Sequence, residues 1–266
     1  LPVVDLQISF LDVLLRRRVM SHLPAPDWIL GAGSSTHRII LLLKRIFRAK
    51  AIMLMKGAYP PALFDANITP RHDNPPRRDN VLATTGVMNP VIPRYEGRDS
   101  ATGTFLIGGV NEHYGWDDAQ VIHQVEKICL AQSGVRWTLT DSRRSPDAFL
   151  PTLKAKGIAN LELISWRDTQ RGFIKQQLDT TGQLWVTRDS VSMVYEGITS
   201  GAPTGLLDLK PLRQSRVVKN MDELLGQNWV QDFAQWDLHQ PLPVPPAKLW
   251  EADRAAEWLL TLFSRT

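Results

Sequence analysis

Short apolar runs separated by helical stretches set the architecture that this chain can adopt. WILGA (28–32) leads into a helical stretch from Thr36 to Arg48, followed by AIMLM (51–55), ANIT (66–69) and NVLATTG (80–86). The pattern then restarts. TFLIGG (104–109) precedes a helix from Asp117 to Gln132, and VRWTLTD (135–141) precedes one from Pro146 to Lys156. LELIS (161–165), LWVT (184–187) with a helix ending at Gly201, and TGLLDL (204–209) complete the series. Apolar strands alternating with helices predict parallel sheets wrapped by helices.

Between the two sets lies NPVIPRYEGRDSATG (89–103), rich in Pro, Gly and charge. That composition marks an interdomain linker. The expected organisation is an N-terminal domain over 1–90, a linker over 91–103 and a C-terminal domain over 104–266. After QPLPVPP (240–246), the segment WEADRAAEWLLTLF (250–263) is helical, with Trp250, Ala256, Leu259, Leu260 and Phe263 toward one face. Such a face must dock on something, and a return to the first domain is one solution. The first set holds few strands for a doubly wound sheet, so the N-terminal domain reads as truncated at its start.

Bulk properties narrow the function classes. Hydrophobic residues make up 43% and charged residues 22%, the profile of a globular protein. No apolar run reaches the roughly 18–20 residues of a membrane span. One cysteine, Cys129, excludes an internal disulfide framework and a cysteine metal cluster. A net charge of +4 favours anionic partners such as phosphates or acidic lipid surfaces. No RNA-binding motif is visible, so nucleic acid is not expected. The opening lacks the pattern of a secretory signal, and a cytoplasmic location is expected. No metal-ligand cluster is visible, and no bound metal or cofactor is expected.

In parallel sheets, ligands bind at the carboxyl ends of the strands, where helix starts offer unpaired N–H groups. VTRDSVSMVYEGITSGAP (186–203) is the leading candidate. Asp189, Ser190 or Ser192 can cap the helix in the ordinary way. Alternatively, the N–H groups of Ser190, Val191, Ser192 and Met193 hold a diphosphate while Glu196, one to two turns in, accepts from ribose hydroxyls. In IGGVNEHYGWDD (107–118), Gly108 and Gly109 let a ligand or another backbone approach closely. Asn111 and His113 follow in the loop. In TLTDSRRSP (138–146), Ser142, Arg143 and Arg144 lie beside a helix start suited to an anion, or form a solvated basic loop. Trp166 can stack on a base or pack in the core. In the first domain, GAGSSTHR (31–38) places His37 at a helix start, and TPRHDNPPRRDN (69–80) carries His72 and Asp73. VLLRRRVMSHL (13–23) and LLLKRIFRAK (41–50) mix bulky apolar and basic residues, which suits either a core helix or an anionic membrane surface.

IGGVNEHYGWDD, TLTDSRRSP and VTRDSVSMVYEGITSGAP, in this order, resemble the family named for the plant mitochondrial-fission protein Elm, which has many bacterial members. PDWILGAGSSTHR (26–38), FDANITPRHD (64–73) and DNVLATTGVMNPV (79–91) resemble its N-terminal domain. The family is similar to GT-B glycosyltransferases. The resemblance implies two Rossmann-like domains facing a cleft, with a nucleotide-diphosphate sugar bound by the C-terminal domain and an acceptor by the N-terminal one. It places Gly108 and Gly109 in the cleft and Ser142, Arg143 and Arg144 at the donor. Ser190, Val191 and Ser192 meet the diphosphate, and Glu196 meets the ribose. His37 is the expected base, with His113 in reserve. The expected acceptor is a lipid-linked or cell-envelope glycan, with contact at the inner face of a membrane. An adaptor that recruits a protein partner and a nucleotide-sugar epimerase are the other classes compatible with this fold. The chain departs from the family pattern in having GGV for Gly-Gly-Pro, Ser-Pro for Thr-Pro after the arginines, and Glu196-Gly197 for Glu-Ala.

Overall fold

The computed structural model describes residues 3–5, 13, 25–237 and 240–264. The expected amphipathic segment 13–23 lies outside them apart from Val13. The chain divides into two compact units, one of Leu1–Met88 with Glu251–Thr266, the other of Asn89–Trp250.

In the first unit, β1 (Trp28–Ala32), β2 (Lys50–Leu54), β3 (Ala66–Pro70) and β4 (Val81–Thr84) run parallel in chain order. Side chains of a strand alternate between faces. Ala51 and Met53 of β2 therefore pack with Ile40 of helix α1 (His37–Phe47) and with Phe64. Ile52 points the other way and clusters with Ile68, Ala255 and Leu259, the last two from the terminal helix, Glu251–Ser264. Each fully buried Leu or Ile of this kind contributes about 1.5–3 kcal/mol. The buried face of that helix is Ala255, Trp258, Leu259, Leu262 and Phe263. This corrects the expected face: Ala256 and Leu260 are exposed, and Trp250 precedes the helix. The LLTLF run obscures the phase, and the i, i+3, i+4, i+7, i+8 series from Ala255 restores it.

The second unit carries six strands: β5 (Asp99–Leu106), β6 (Arg136–Thr140), β7 (Leu161–Ile164), β8 (Thr181–Thr187), β9 (Thr204–Leu207) and β10 (Gln231–Asp232). Their spatial order is β10-β9-β8-β5-β6-β7, and every pair is parallel. Read from β7, this is the doubly wound order 3-2-1-4-5-6, which reverses between β5 and β8. The connecting helices are α2 (Asp118–Ala131), α3 (Phe149–Lys154), α4 (Phe173–Thr180), α5 (Val191–Ser200) and α6 (Arg216–Gly226). Phe105, Leu106, Leu184, Trp185 and Val186 are buried, as expected of central strands covered on both faces.

Several elements depart from the sequence reading. β5 begins at Asp99, inside the expected linker, and changes register with β8 between Asp99 and Gly103. Gly103 is there because the Trp137 ring lies against it: a Cβ would stand 2.3 Å from that ring. α4, α6 and β10 are additional elements. α6 buries Val218, Met221 and Leu224 at helical spacing. At the amino ends of β5 to β7, a cavity of about 400 Å³ is lined by Thr102, Thr104, Thr138, Glu162 and Gln177, among others. In RWTLT, Trp137 and Leu139 are buried and Arg136 is exposed.

One side chain ties the helix ends of this unit together. The Arg98 guanidinium donates to the carbonyls of Leu178 (3.0 Å), Thr181 (2.7 Å) and Ser200, and its Nε to that of Arg94 (2.8 Å). Leu178 and Ser200 lie in the last turns of α4 and α5, where carbonyls lack intrahelical partners.

Candidate functional site at the carboxyl edge of the second sheet

Where the strand order of a parallel sheet reverses, the loops leaving neighbouring strands part and open a crevice. Here the switch lies between β5 and β8, and the loops after β5, β6 and β8 bring together Gly108, Gly109, Ser142, Arg144 and Asp189.

The Thr187 hydroxyl accepts from Gly108 N at 2.7 Å. The Gly108 carbonyl accepts from Ser142 Oγ at 2.6 Å and from Ser145 Oγ. Gly109 N donates to Asp189 Oδ2 at 3.0 Å, and Val110 N to the Arg144 carbonyl at 3.0 Å. Both glycines are buried. A Cβ at Gly108 would stand 2.3 Å from the Asp189 carboxylate, and one at Gly109 2.1 Å from the Arg144 carbonyl oxygen. What approaches the glycine pair is therefore the protein's own backbone and a carboxylate, the second of the two readings that a glycine pair after a strand allows. Gly109→Ala should displace that backbone at a cost of about 1–3 kcal/mol. Thermal denaturation should register a fall of roughly 2–10 °C.

α5 starts without a side-chain cap. Ser190 holds the N-cap position and is buried, yet its hydroxyl makes no cap hydrogen bond. The contrast within the same unit is sharp: Asp117 accepts from Ala119 N and Gln120 N at the start of α2, and Ser215 accepts from Val218 N at the start of α6. The first N–H groups of α5, on Val191, Ser192 and Met193, thus have neither an intrahelical acceptor nor a side-chain acceptor among the described residues. Ser192 and Glu196 stand four apart on the outer face of the helix, while Val194, Tyr195 and Ile198 are buried. Glu196 is half-buried and makes no ion pair among the described residues. Burial pushes its carboxyl pKa above the ordinary value.

Arg144 pairs with Asp189 at 2.6 Å, and its Nη1 also reaches the Gly109 carbonyl at 3.4 Å. Arg143 is exposed and makes no ion pair among the described residues; its guanidinium lies 5.6 Å from the centroid of the Trp166 ring. Arg167 lies 5.1 Å from the same ring and pairs with Asp147. Trp166 is half-buried, and its backbone N–H donates to Asp141 Oδ1 at 2.6 Å. Burial raises the Asp141 pKa. One strand further, Arg188 is buried between Asp232 (2.6 Å) and Asp208 (3.4 Å). Asp141, Arg188 and the inward turn of Asp189 were missed as site-forming features. A strand-end acid was the available signal, but its partners lie on other strands.

The two histidines stand apart. His113 sits in the loop after β5, where Asn111 Oδ1 accepts from its backbone N–H at 2.7 Å. Its Nε2 lies 3.8 Å from Glu112. His37, the expected base, is 0% exposed. Its Nδ1 accepts from Ala58 N at 3.2 Å, and its ring packs edge-on against Tyr59 and Phe64. His37 stands at the helix start as expected, but its burial speaks against the expected role as base. Burial lowers the His37 pKa, so the folded chain holds its proton less tightly than the unfolded one. Its contribution to stability is complete above the ordinary value of about 6.5 and is lost as pH falls through it. His37→Asn, which keeps an acceptor for Ala58 N, should show a smaller drop in melting temperature between pH 7 and pH 5 than the unaltered chain.

The fold is similar to that of a candidate UDP-N-acetylglucosamine 2-epimerase from Listeria monocytogenes, with a TM-score of 0.56 and 12% identity over 91% of this chain and 76% of that one. It is also similar to the UDP-GlcNAc 2-epimerase of Methanocaldococcus jannaschii, whose structure holds UDP-GlcNAc and UDP, with a TM-score of 0.51 and 10% identity over 94% of this chain and 78% of that one. At these identities the likeness shows a mixed α/β, Rossmann-like fold with parallel sheets, of the GT-B type. A search of curated proteins finds no match. The family model for mitochondrial fission ELM1 spans residues 8–263, nearly the whole chain with both sheets, and the chain belongs to that family.

Proposed function

We propose that this chain is a glycosyltransferase that takes a sugar from a nucleoside-diphosphate donor held at the carboxyl edge of the second sheet. The observation that carries the reading is the uncapped start of α5 at the topological switch point, with Glu196, which makes no ion pair among the described residues, on its outer face. In this reading the N–H groups of Val191, Ser192 and Met193 take the diphosphate. Helix-start N–H groups and the positive end of the helix dipole suit such a group. Arg143 supplies the balancing charge, Glu196 accepts from the ribose hydroxyls, and Trp166 offers a flat face to the base. Departure of the diphosphate leaves negative charge on its oxygens, and fixed donors aimed there lower the barrier. We assign proton transfer from the acceptor to His113, because the His37 ring is buried. The acceptor we assign is a lipid-linked glycan at an anionic membrane surface. Arg38, Arg45 and Arg48 are exposed on and beside α1, which supports such contact. No described helix is long and apolar enough to cross a membrane.

A second reading, nucleotide-sugar epimerisation at the same site, is motivated by the names of the two similar structures. Mass analysis of reactions with a panel of UDP-, GDP-, ADP- and dTDP-sugars separates the classes. Release of nucleoside diphosphate with the sugar moved to an acceptor supports transfer. An isomeric nucleotide sugar, or an isomerised free sugar formed with no acceptor added, supports epimerisation. Nucleotide binding without turnover, given membrane extracts as acceptor, overturns both and favours an adaptor.

A further inference from the structure

We propose that Asp189 is a positioning residue that acts through Arg144, so that Arg143, and not Arg144, meets the phosphates. The inference rests on the nucleotide-binding reading above. Asp189 lies one residue before Ser190, the N-cap residue of α5, and turns inward. Its side chain is 0% exposed, and a buried carboxylate is tolerated only when paired and hydrogen-bonded. Oδ2 takes both Arg144 Nη1 at 2.6 Å and Gly109 N at 3.0 Å, while Oδ1 is buried without a hydrogen-bond partner. Three strand ends thereby close on one carboxylate: β5 through Gly109, β6 through Arg144 and β8 through Asp189 itself. The carboxylate packs against Gly108 so closely that a Cβ there would stand 2.3 Å from it.

The charges at this edge follow from that arrangement. Arg144 is neutralised by Asp189, and Arg188 by Asp232 and Asp208. Arg143 is left without an ion pair among the described residues. It shares a turn with Arg144 in which Arg144 N donates to Ser142 Oγ and Ser142 N to Ser145 Oγ. Pinning Arg144 therefore fixes the turn that carries Arg143. One carboxylate thus organises the arginine turn of the anion site without touching the anion.

The test is a double-mutant cycle read by calorimetry with the nucleoside diphosphate that the unaltered chain binds. Asp189→Asn and Arg144→Gln should each weaken binding about 10-fold, and the double variant should lose about 10-fold rather than 100-fold, because the two residues act as a unit. Near-ultraviolet circular dichroism checks each fold. Should Asp189→Asn not fold, the double variant carries the comparison, since it leaves no buried charge without its partner; its loss should then equal that of Arg144→Gln. Tighter binding by Asp189→Asn would make Arg144 a phosphate ligand that Asp189 masks, and would overturn the inference. So would additive losses, or unchanged affinity with only the melting temperature moved. If the unaltered chain binds no nucleoside diphosphate, the underlying reading fails and the inference with it. Binding by the unaltered chain with indifferent variants defeats the inference alone.

Discussion

Glu196→Ala should weaken nucleoside-diphosphate binding about 10- to 100-fold, the loss expected when hydrogen bonds to a charged group are removed. The carboxylate lies half-buried on α5 with no ion pair among the described residues, and burial raises its pKa. A raised acid pKa means that the folded chain holds the proton more tightly than the unfolded one. The ionised carboxylate therefore costs stability above that pKa, and the cost disappears as pH falls through it. Two outcomes follow. Glu196→Gln should melt at or slightly above the temperature of the unaltered chain at pH 7, with the gap closing toward acid pH. Nucleotide affinity of the unaltered chain should fall as pH drops through the raised pKa, because ribose hydroxyls need the ionised acceptor. The affinity of Glu196→Gln should be low and fall less steeply over the same range, its remaining slope being that of the terminal phosphate, whose second pKa is about 6. Calorimetry and thermal melts at pH 7 and pH 5 check both.

Arg98→Ala should cost about 3 kcal/mol, since the carbonyls of Leu178 and Thr181 lose this donor and each costs about 1–3 kcal/mol when left unsatisfied, while the Ser200 carbonyl keeps the Arg94 N–H at 2.9 Å. The carbonyls of Leu178 and Ser200 end α4 and α5, and Thr181 opens β8, so the damage falls on the helix that carries the candidate site. In a unit of this size the melting temperature should fall by about 6–12 °C. Arg98→Lys should recover little, because one ammonium cannot span the fork that a guanidinium presents to several acceptors. Loss of hydrogen-exchange protection should concentrate in the last turns of α4 and α5.

The parallel sheets were legible because β5, β8 and β9 must be apolar on both faces, and runs such as TFLIGG and LWV carry that signature. α6 was harder to read, since its buried Val218, Met221 and Leu224 are diluted by charge. The three site segments were legible as strand ends, but their internal accounting was not. Gly-Gly after a strand permits a ligand or a backbone equally well, and only coordinates show the Arg144 carbonyl filling that space. Arg143 and Arg144 look equivalent in sequence. They differ because Asp189, on another strand, claims one of them. His37 at a helix start read as an open base, but burial against Tyr59 and Phe64 is a property of the neighbouring loop and not of its own segment.

The central claim is that the start of α5 binds a nucleoside diphosphate. Calorimetric titration of UDP, GDP, ADP, dTDP and CMP into the unaltered chain tests it most directly. The account predicts saturable heat at a single site for at least one nucleoside diphosphate, with weaker or no heat for the monophosphate. Absence of heat from every nucleotide, on a chain shown to be folded, would contradict it.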